Sequence, residues 1–270
     1  MIPHDYHVHT DFSCDCKATM VAMCQAAVEK GIPEIGFSEH LDLMPEDLCY
    51  ASFRVEAWWE ELARCREAFR GQLTIRAGIE VGETHRFRES MDEVIRRFPW
   101  DYVLGALHWV NSTSVFDRAY FQRPADAAYL DYFRELMCLV EPGGFDVLAH
   151  MDIVKRYGFT YYGPYDPKRY EGEIRAIMRA CAQRGIGLEI NTSTLRRPIA
   201  VTSPDNLVLR WFREEGGEWV TMGSDAHLAA DVGYGMEQVI GAVRAAGFDR
   251  LARYESRRPV ALPLPKSGEA

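Results

Sequence analysis

Seven short apolar runs, each ending beside a histidine, a carboxylate or both, constrain this 270-residue chain more than any other feature. They are Asp5–Val8, Glu34–Phe37, Thr74–Ile79, Tyr102–Ala106, Phe145–Leu148, Gly187–Ile190 and Trp219–Met222. Runs of this length suit strands buried on both faces. Helical segments lie between them. Ala18–Lys30 stops at Gly31, Val55–Arg70 at Gly71 and Arg169–Arg184 at Gly185, while Ala125–Val140 stops before Pro142-Gly143-Gly144. A glycine just past a helix takes the left-handed conformation that ends it. Ser203-Pro204-Asp205 opens a further helix, with a capping residue followed by proline in the first turn. Alternation of this kind implies a parallel sheet, and a closed barrel suits a ring of polar strand ends better than an open sheet does. The expected fold is therefore α/β, one barrel of seven strand–helix units spanning residues 1–270. Residues 257–270, with three prolines, are expected to form an irregular peripheral tail.

The polar residues fall where such a barrel carries its chemistry. The strands run in turn into His7 and His9, Glu39 and His40, Glu80, His108, His150, Glu189 and Asn191, and finally Asp225 and His227. All lie at C-terminal strand ends, the face on which barrels build active sites. Residues i and i+2 of an extended segment point the same way, so His7 with His9, and Asp225 with His227, can each converge on one point. A lone histidine beside a strand is more often a packing residue than a ligand. Six of eight at equivalent places are not explained that way. Imidazole and carboxylate are the ligands shared by zinc, iron and manganese. His4 and His85 lie outside the pattern and are expected to be structural. Glu39 either orients a ligand or starts a helix.

Composition narrows the setting. No apolar run approaches the roughly 20 residues of a bilayer span, and Met1-Ile2-Pro3-His4-Asp5 lacks the basic start and apolar core of a signal peptide. A soluble cytoplasmic protein is expected. The net charge of −9 argues against a long nucleic-acid partner, but not against a small anion held through metal cations. Seven cysteines without a Cys-x-x-Cys pair favour reduced thiols. Thiolate ligation by Cys14 or Cys16 is the minor alternative, since nitrogen and oxygen ligands are plentiful.

His7-Val8-His9-Thr10, Glu39-His40, Gly78-Ile79-Glu80, His108, His150 and Gly223-Ser224-Asp225-Ala226-His227 together resemble the motifs of the PHP superfamily, from about residue 5 to residue 235. The resemblance implies a distorted (β/α)7 TIM-like barrel with up to three divalent metal ions (Zn, Fe or Mn). It implies one ion on His7, His9, Glu80 and Asp225, and a second that shares Glu80 and adds His108 and His150. A third would take Asp15, His40 and His227, with Asp15 preferred over its neighbour Asp11. Phe12-Ser13-Cys14-Asp15, the segment His150 to Tyr157 and the segment Asn191 to Arg197 are similar to the histidinol phosphatase branch. In that branch the residues matching Arg156 and Arg196 grip phosphate. Thr194 stands where glycine is common, which leaves Arg197 as an alternative to Arg196.

The resemblance thus implies a phosphomonoesterase whose expected substrate is L-histidinol phosphate, attacked by hydroxide generated at the metals. Asp225 and His227 are expected to serve in catalysis with Arg156 and Arg196, and His40 and Asp117 to contact substrate. Tyr161, Tyr162 and Glu83 are further candidates for the substrate's amine and imidazole, and the aromatic stretch Tyr157–Tyr165 is expected as a loop beside the mouth. A PHP phosphoesterase acting on nucleoside monophosphates or nucleic-acid ends is the alternative. An amidohydrolase-type hydrolase and a non-catalytic metal-binding protein rank lower. No Gly-x-Ser-x-Gly elbow and no P-loop is present.

Overall fold

In the computed structural model, which describes residues 2–265, the seven runs become seven parallel strands. They are β1 (Asp5–Val8), β2 (Glu34–Leu41), β3 (Thr74–Gly82), β4 (Tyr102–Ala106), β7 (Val147–Leu148), β8 (Gly187–Asn191) and β9 (Val220–Gly223). Two two-residue strands, β5 (Trp109–Val110) and β6 (Thr113–Ser114), form a small antiparallel hairpin after β4. The sheet order is β1-β2-β3-β4-β7-β8-β9. A single bridge between Val8 and Ala226, just beyond β9, joins the last strand to the first. It consists of His9 N–H to Ala226 O at 3.0 Å and Ala226 N–H to His7 O at 3.3 Å. The sheet is thereby a TIM-like barrel of seven strands.

The helices wrap its outside. They are α1 (Met20–Glu29), α2 (Val55–Ala68), α3 (Arg88–Arg97), α4 (Ala125–Val140), α5 (Val154–Tyr162), α6 (Glu171–Arg184), α7 (Asn206–Glu214) and α8 (Met236–Ala245). Each buries one stripe; α7, for example, turns Val208, Leu209, Trp211 and Phe212 inward. No helix among the described residues is long and apolar enough to cross a membrane.

One end of the barrel is filled by its own small core of Tyr6, Tyr102, Leu104, Ala106, Val147, Ala149, Ala252 and Tyr254. Tyr102 lies so close to β2 and β3 that a Cβ on Gly36 or Gly78 would come within 2.3 and 2.2 Å of its ring or hydroxyl. These two positions need glycine for want of space. The Tyr102 hydroxyl donates to Tyr6 O at 2.8 Å. Ala252 and Tyr254 come from an antiparallel hairpin, β10 (Arg250–Glu255) and β11 (Arg258–Pro263).

That hairpin corrects the expected irregular tail over residues 258–263; residues 266–270 lie outside the described residues. Its prolines are tolerated because β11 pairs on one side only. Its turn places Ser256 and Arg257 at φ 48° and 64°, the pair of positive values a tight hairpin needs. Arg257 is held there by Asp146, with Nε 2.9 Å from Oδ2.

Three further expectations change. α7 is capped by Asp205, which accepts from Leu207 N and Val208 N, so Pro204 precedes the cap instead of entering the helix. Tyr157–Tyr165, expected as a rim loop, is helical through Tyr162. Cys14 and Cys49 are disulfide-bonded, with Cα atoms 5.3 Å apart. They trail from the neighbouring strands β1 and β2, so the parallel pairing brings residues 35 apart in sequence side by side. That bond also removes Cys14 as a thiolate ligand in this state.

Candidate metal centre

β1 is extended, so His7 and His9 project to the same side and their Nε2 atoms stand 3.0 Å apart. Their outer nitrogens are both taken. His7 Nδ1 lies 2.6 Å from Glu189 Oε1. His9 Nδ1 lies 3.1 Å from Ser13 Oγ, whose own hydroxyl donates to Glu39 Oε2 at 2.6 Å. Each ring therefore carries its proton on Nδ1 and turns a bare Nε2 lone pair toward the other. Glu80 Oε2 lies 3.3 Å from His7 Nε2 and 3.5 Å from His9 Nε2, and Asp225 Oδ1 is 3.5 Å from His9 Nε2. Four electron-rich atoms so arranged in a buried site repel unless positive charge lies between them. One proton serves two of them; a divalent cation serves all four. The donor set fits a metal.

Glu80 occupies the middle of the ring. Its Oε1 faces His150 Nε2 at 2.7 Å and His108 Nε2 at 3.5 Å. Its Oε2 faces His40 Nδ1 at 3.0 Å, off the hydrogen-bonding direction. The carboxylate thus straddles two groups of imidazoles. On the open side, Asp15 Oδ2 is 3.1 Å from His227 Nε2 and 3.7 Å from His40 Nε2. His9 stacks between the His40 and His227 rings, with 4.3 Å to each centroid. All nine expected ligands are brought together, with Asp15 rather than Asp11 beside the histidines.

The electrostatics report the same demand for a cation. Burial pulls His7 down, but Glu189, Glu80 and Asp225 outweigh it and hold the ring well above its usual range. Burial likewise works against Glu80, yet His7 and His40 keep it well below the carboxylate range. His9, by contrast, is pushed down to about 3 by burial and by the facing His227 and His40.

Two supporting groups escaped the sequence reading. Asp42 faces His40 Nδ1 at 3.5 Å and His108 Nδ1 at 3.6 Å, and its i+2 spacing from His40 was the available signal. Ser13 links His9 to Glu39, and its place before Asp15 was the only hint. Glu39 resolves as an anchor, accepting also from Thr10 N, Thr10 Oγ1 and Trp58 Nε1.

A cavity of about 470 Å³ opens over the ring, within the range of small-ligand sites. Arg156, Arg196 and Arg197 line it with Phe116, Tyr157 and Leu228. Arg156 makes no ion pair among the described residues. Arg196 is committed to the chain, donating to Ser224 O at 2.9 Å and Asp225 O at 3.0 Å. These bonds brace Asp225, which sits at a positive φ of 52°.

Four expected substrate contacts are not at this cavity. Asp117 is exposed beyond the lining, because the chain turns from Ser114 to Asp117, closed by Asp117 N–H to Ser114 O at 3.1 Å, and it is Phe116 in that turn that lines the cavity. Glu83 is buried and accepts from His108 N and Trp109 N. Tyr161 stacks on Phe121, and Tyr162 donates to Phe121 O and Arg123 O. His4 and His85 are structural, bonded to Thr221 Oγ1 at 3.0 Å and Glu135 at 2.7 Å.

A sequence model described as the PHP domain matches residues 5–193. The histidinol-phosphatase of Lactococcus lactis is 28% identical over 262 residues, covering 94% of this chain and 95% of that protein. That of Bacillus subtilis is 26% identical over 267 residues, covering 88% and 98%. The crystal structure of the Lactococcus lactis histidinol phosphate phosphatase, complexed with Zn, L-histidinol and phosphate, superimposes with a TM-score of 0.87 at 26% identity. It covers 96% of this chain and 98% of that one.

Proposed function

The chain belongs to the PHP domain family, and from that premise we propose that it is a metal-dependent phosphomonoesterase that hydrolyses L-histidinol phosphate to L-histidinol and inorganic phosphate. One barrel domain over residues 1–270 carries the activity. The observation behind this reading is the meeting, in one cavity, of seven of the nine ring donors with Arg156, a guanidinium that has no ion-pair partner among the described residues. A half-buried guanidinium without a partner gains from an anion that completes it. Support comes from the relatives, whose names specify this substrate over nearly the full chain length.

His7, His9, Asp15, His40, Glu80, His108, His150, Asp225 and His227 would hold up to three divalent ions, of Zn, Fe or Mn. Bound there, such ions supply a water-derived nucleophile at neutral pH and neutralise phosphoryl charge. The chain's own residues do the rest. Arg156 binds the equatorial oxygens from the wall opposite the ring, since a forked guanidinium matches phosphate geometry. Arg196 keeps Asp225 in place through the Ser224 and Asp225 carbonyls and presents its outer edge to the same phosphate. Arg197 adds charge at the mouth. Asp225 and His227, 3.6 Å apart, carry the proton to the departing alkoxide oxygen. Phe116 and Tyr157, whose ring centroids are 5.4 Å apart, form an apolar wall for the substrate's imidazole. The substrate is small, and no nucleic acid is required.

The test is a phosphate-release screen of the metal-loaded protein. L-Histidinol phosphate should be turned over at least about 100-fold more efficiently than nucleoside monophosphates, a discrimination of roughly 3 kcal/mol. Equal or better turnover of mononucleotides would remove the substrate assignment and leave the alternative PHP phosphoesterase reading.

A further inference from the structure

The arginine-bearing segments belong to different barrel units, yet one buried ion pair ties them together. Lys155 and Asp152 are both fully buried, and Lys155 Nζ stands 2.7 Å from Asp152 Oδ2. The ammonium also donates to Thr202 O at 2.8 Å and lies 5.6 Å from the centre of the Tyr165 ring. Asp152 Oδ1 accepts from Ser203 Oγ. On one side of this knot, Lys155 immediately precedes Arg156 in the first turn of α5. On the other, Thr202 and Ser203 close the segment that leaves β8 and carries Arg196 and Arg197. That segment is fastened at its foot by reciprocal bonds, Asn191 N–H to Ser203 O at 2.7 Å and Ser203 N–H to Asn191 O at 2.9 Å.

An ion pair this deeply buried is a poor way to stabilise a fold. Desolvating both charges offsets most of their attraction, and an apolar pair of the same volume stabilises as well or better. What an apolar pair lacks is direction. Here an ammonium with acceptors on two segments holds α5 against the segment 192–203 with the tolerance of a hydrogen bond. The far end of that segment is held separately, by the bonds from Arg196 to the Ser224 and Asp225 carbonyls.

We infer that the Lys155–Asp152 pair is a positioning element that fixes the spacing between Arg156 and the arginines of residues 196–197, and so sets the phosphate affinity of the cavity. The inference rests on the phosphate-binding part of the function proposed above and is independent of which alcohol the phosphate is esterified to.

Inorganic phosphate is therefore the probe, titrated calorimetrically into the metal-loaded protein, with metal content and thermal midpoint measured in parallel. Lys155→Met should weaken phosphate binding about 10-fold while metal content stays that of the wild type. In a background already carrying Arg156→Ala, Arg196→Ala and Arg197→Ala, the same substitution should change phosphate affinity less than about 2-fold, because coupled residues are not additive. The same loss in both backgrounds would mark the pair as merely structural and overturn the inference, as would unchanged affinity in the otherwise wild-type protein. Should Lys155→Met not fold, Asp152→Leu with Lys155→Met leaves no unpaired buried charge and is put through the same cycle. Failure of the loaded wild type to hydrolyse histidinol phosphate, with the coupling intact, removes the substrate assignment and leaves this inference standing. Normal hydrolysis without the coupling does the reverse.

Discussion

Both ends of the barrel are dense in polar groups, but only one end satisfies them from within. At the closed end, Tyr6 donates to Glu34, Arg76 spans Glu34 and Glu255 at 2.7 Å each, and Arg257 forks onto Asp146. Donors there meet acceptors; the exception is His4 Nδ1. At the open end, lone pairs face lone pairs across 3.0 Å, and Asp42 Oδ1, Glu83 Oε2 and His150 Nδ1 have no hydrogen-bond partner. The contrast separates stability from function along one axis. The closed end is matched as folded, while the open end leaves buried lone pairs unmatched, as a site for charged ligands would.

The largest effect should come from the open end. Glu80→Gln weakens the group that faces five imidazoles directly, and should abolish metal retention and lower phosphate release by roughly 10³-fold, about 4 kcal/mol of barrier. Elemental analysis and steady-state kinetics check this, with circular dichroism showing that the fold remains. Wild-type metal content with a near-normal rate would dissolve the contrast between the two ends.

The mirror experiment is Arg76→Ala, which leaves Glu34 without its main partner at a partly buried site. It should cost about 2 kcal/mol and lower the thermal midpoint by roughly 4–8 °C, with kcat unchanged. A proportionate fall in kcat would show that the ends are coupled after all.

The smallest effect sharpens the comparison at the closed end's exception. Burial pushes His4 down to about 3, below its ordinary 6.5. The unfolded chain therefore binds the proton first, and stability falls as pH drops below that ordinary value. Between pH 7 and 5.5 this amounts to about 1 kcal/mol, and His4→Gln should remove that increment from urea unfolding measured at the two pH values. An unchanged pH dependence would mean that His4 is not held neutral.

The barrel was legible because strands covered on both faces appear in the sequence as uninterrupted apolar runs, and β1 and β4 match their expected bounds. β10 and β11 were not, because their turn uses Ser256 and Arg257 instead of glycine, and their prolines suggested irregularity. α3 was missed because it buries only Met91 and Ile95, too few for a visible stripe. In the site, i and i+2 spacing predicted which side chains share a face, and the histidines do converge. That rule does not reach Asp117, which closes a turn from Ser114 instead of continuing a strand. Cys14 with Cys49, and Ser13 with His9 and Glu39, depend on which loops the closed sheet brings together, and no local pattern encodes that.

The seam between the first and last barrel strands has a consequence for how the molecule comes into being. His7 and His9 leave the ribosome early relative to Asp225 and His227, which complete their surroundings and follow more than two hundred residues later. The Val8–Ala226 bridge and the bonds from Ser224 to Asp5 bring these ends together. Until that seam closes, the donors of the earlier strands lack Asp225 and His227. Capture of the ion across this seam would act as a clasp on the ring, so metal supply during synthesis bears on how much chain ends in the closed form.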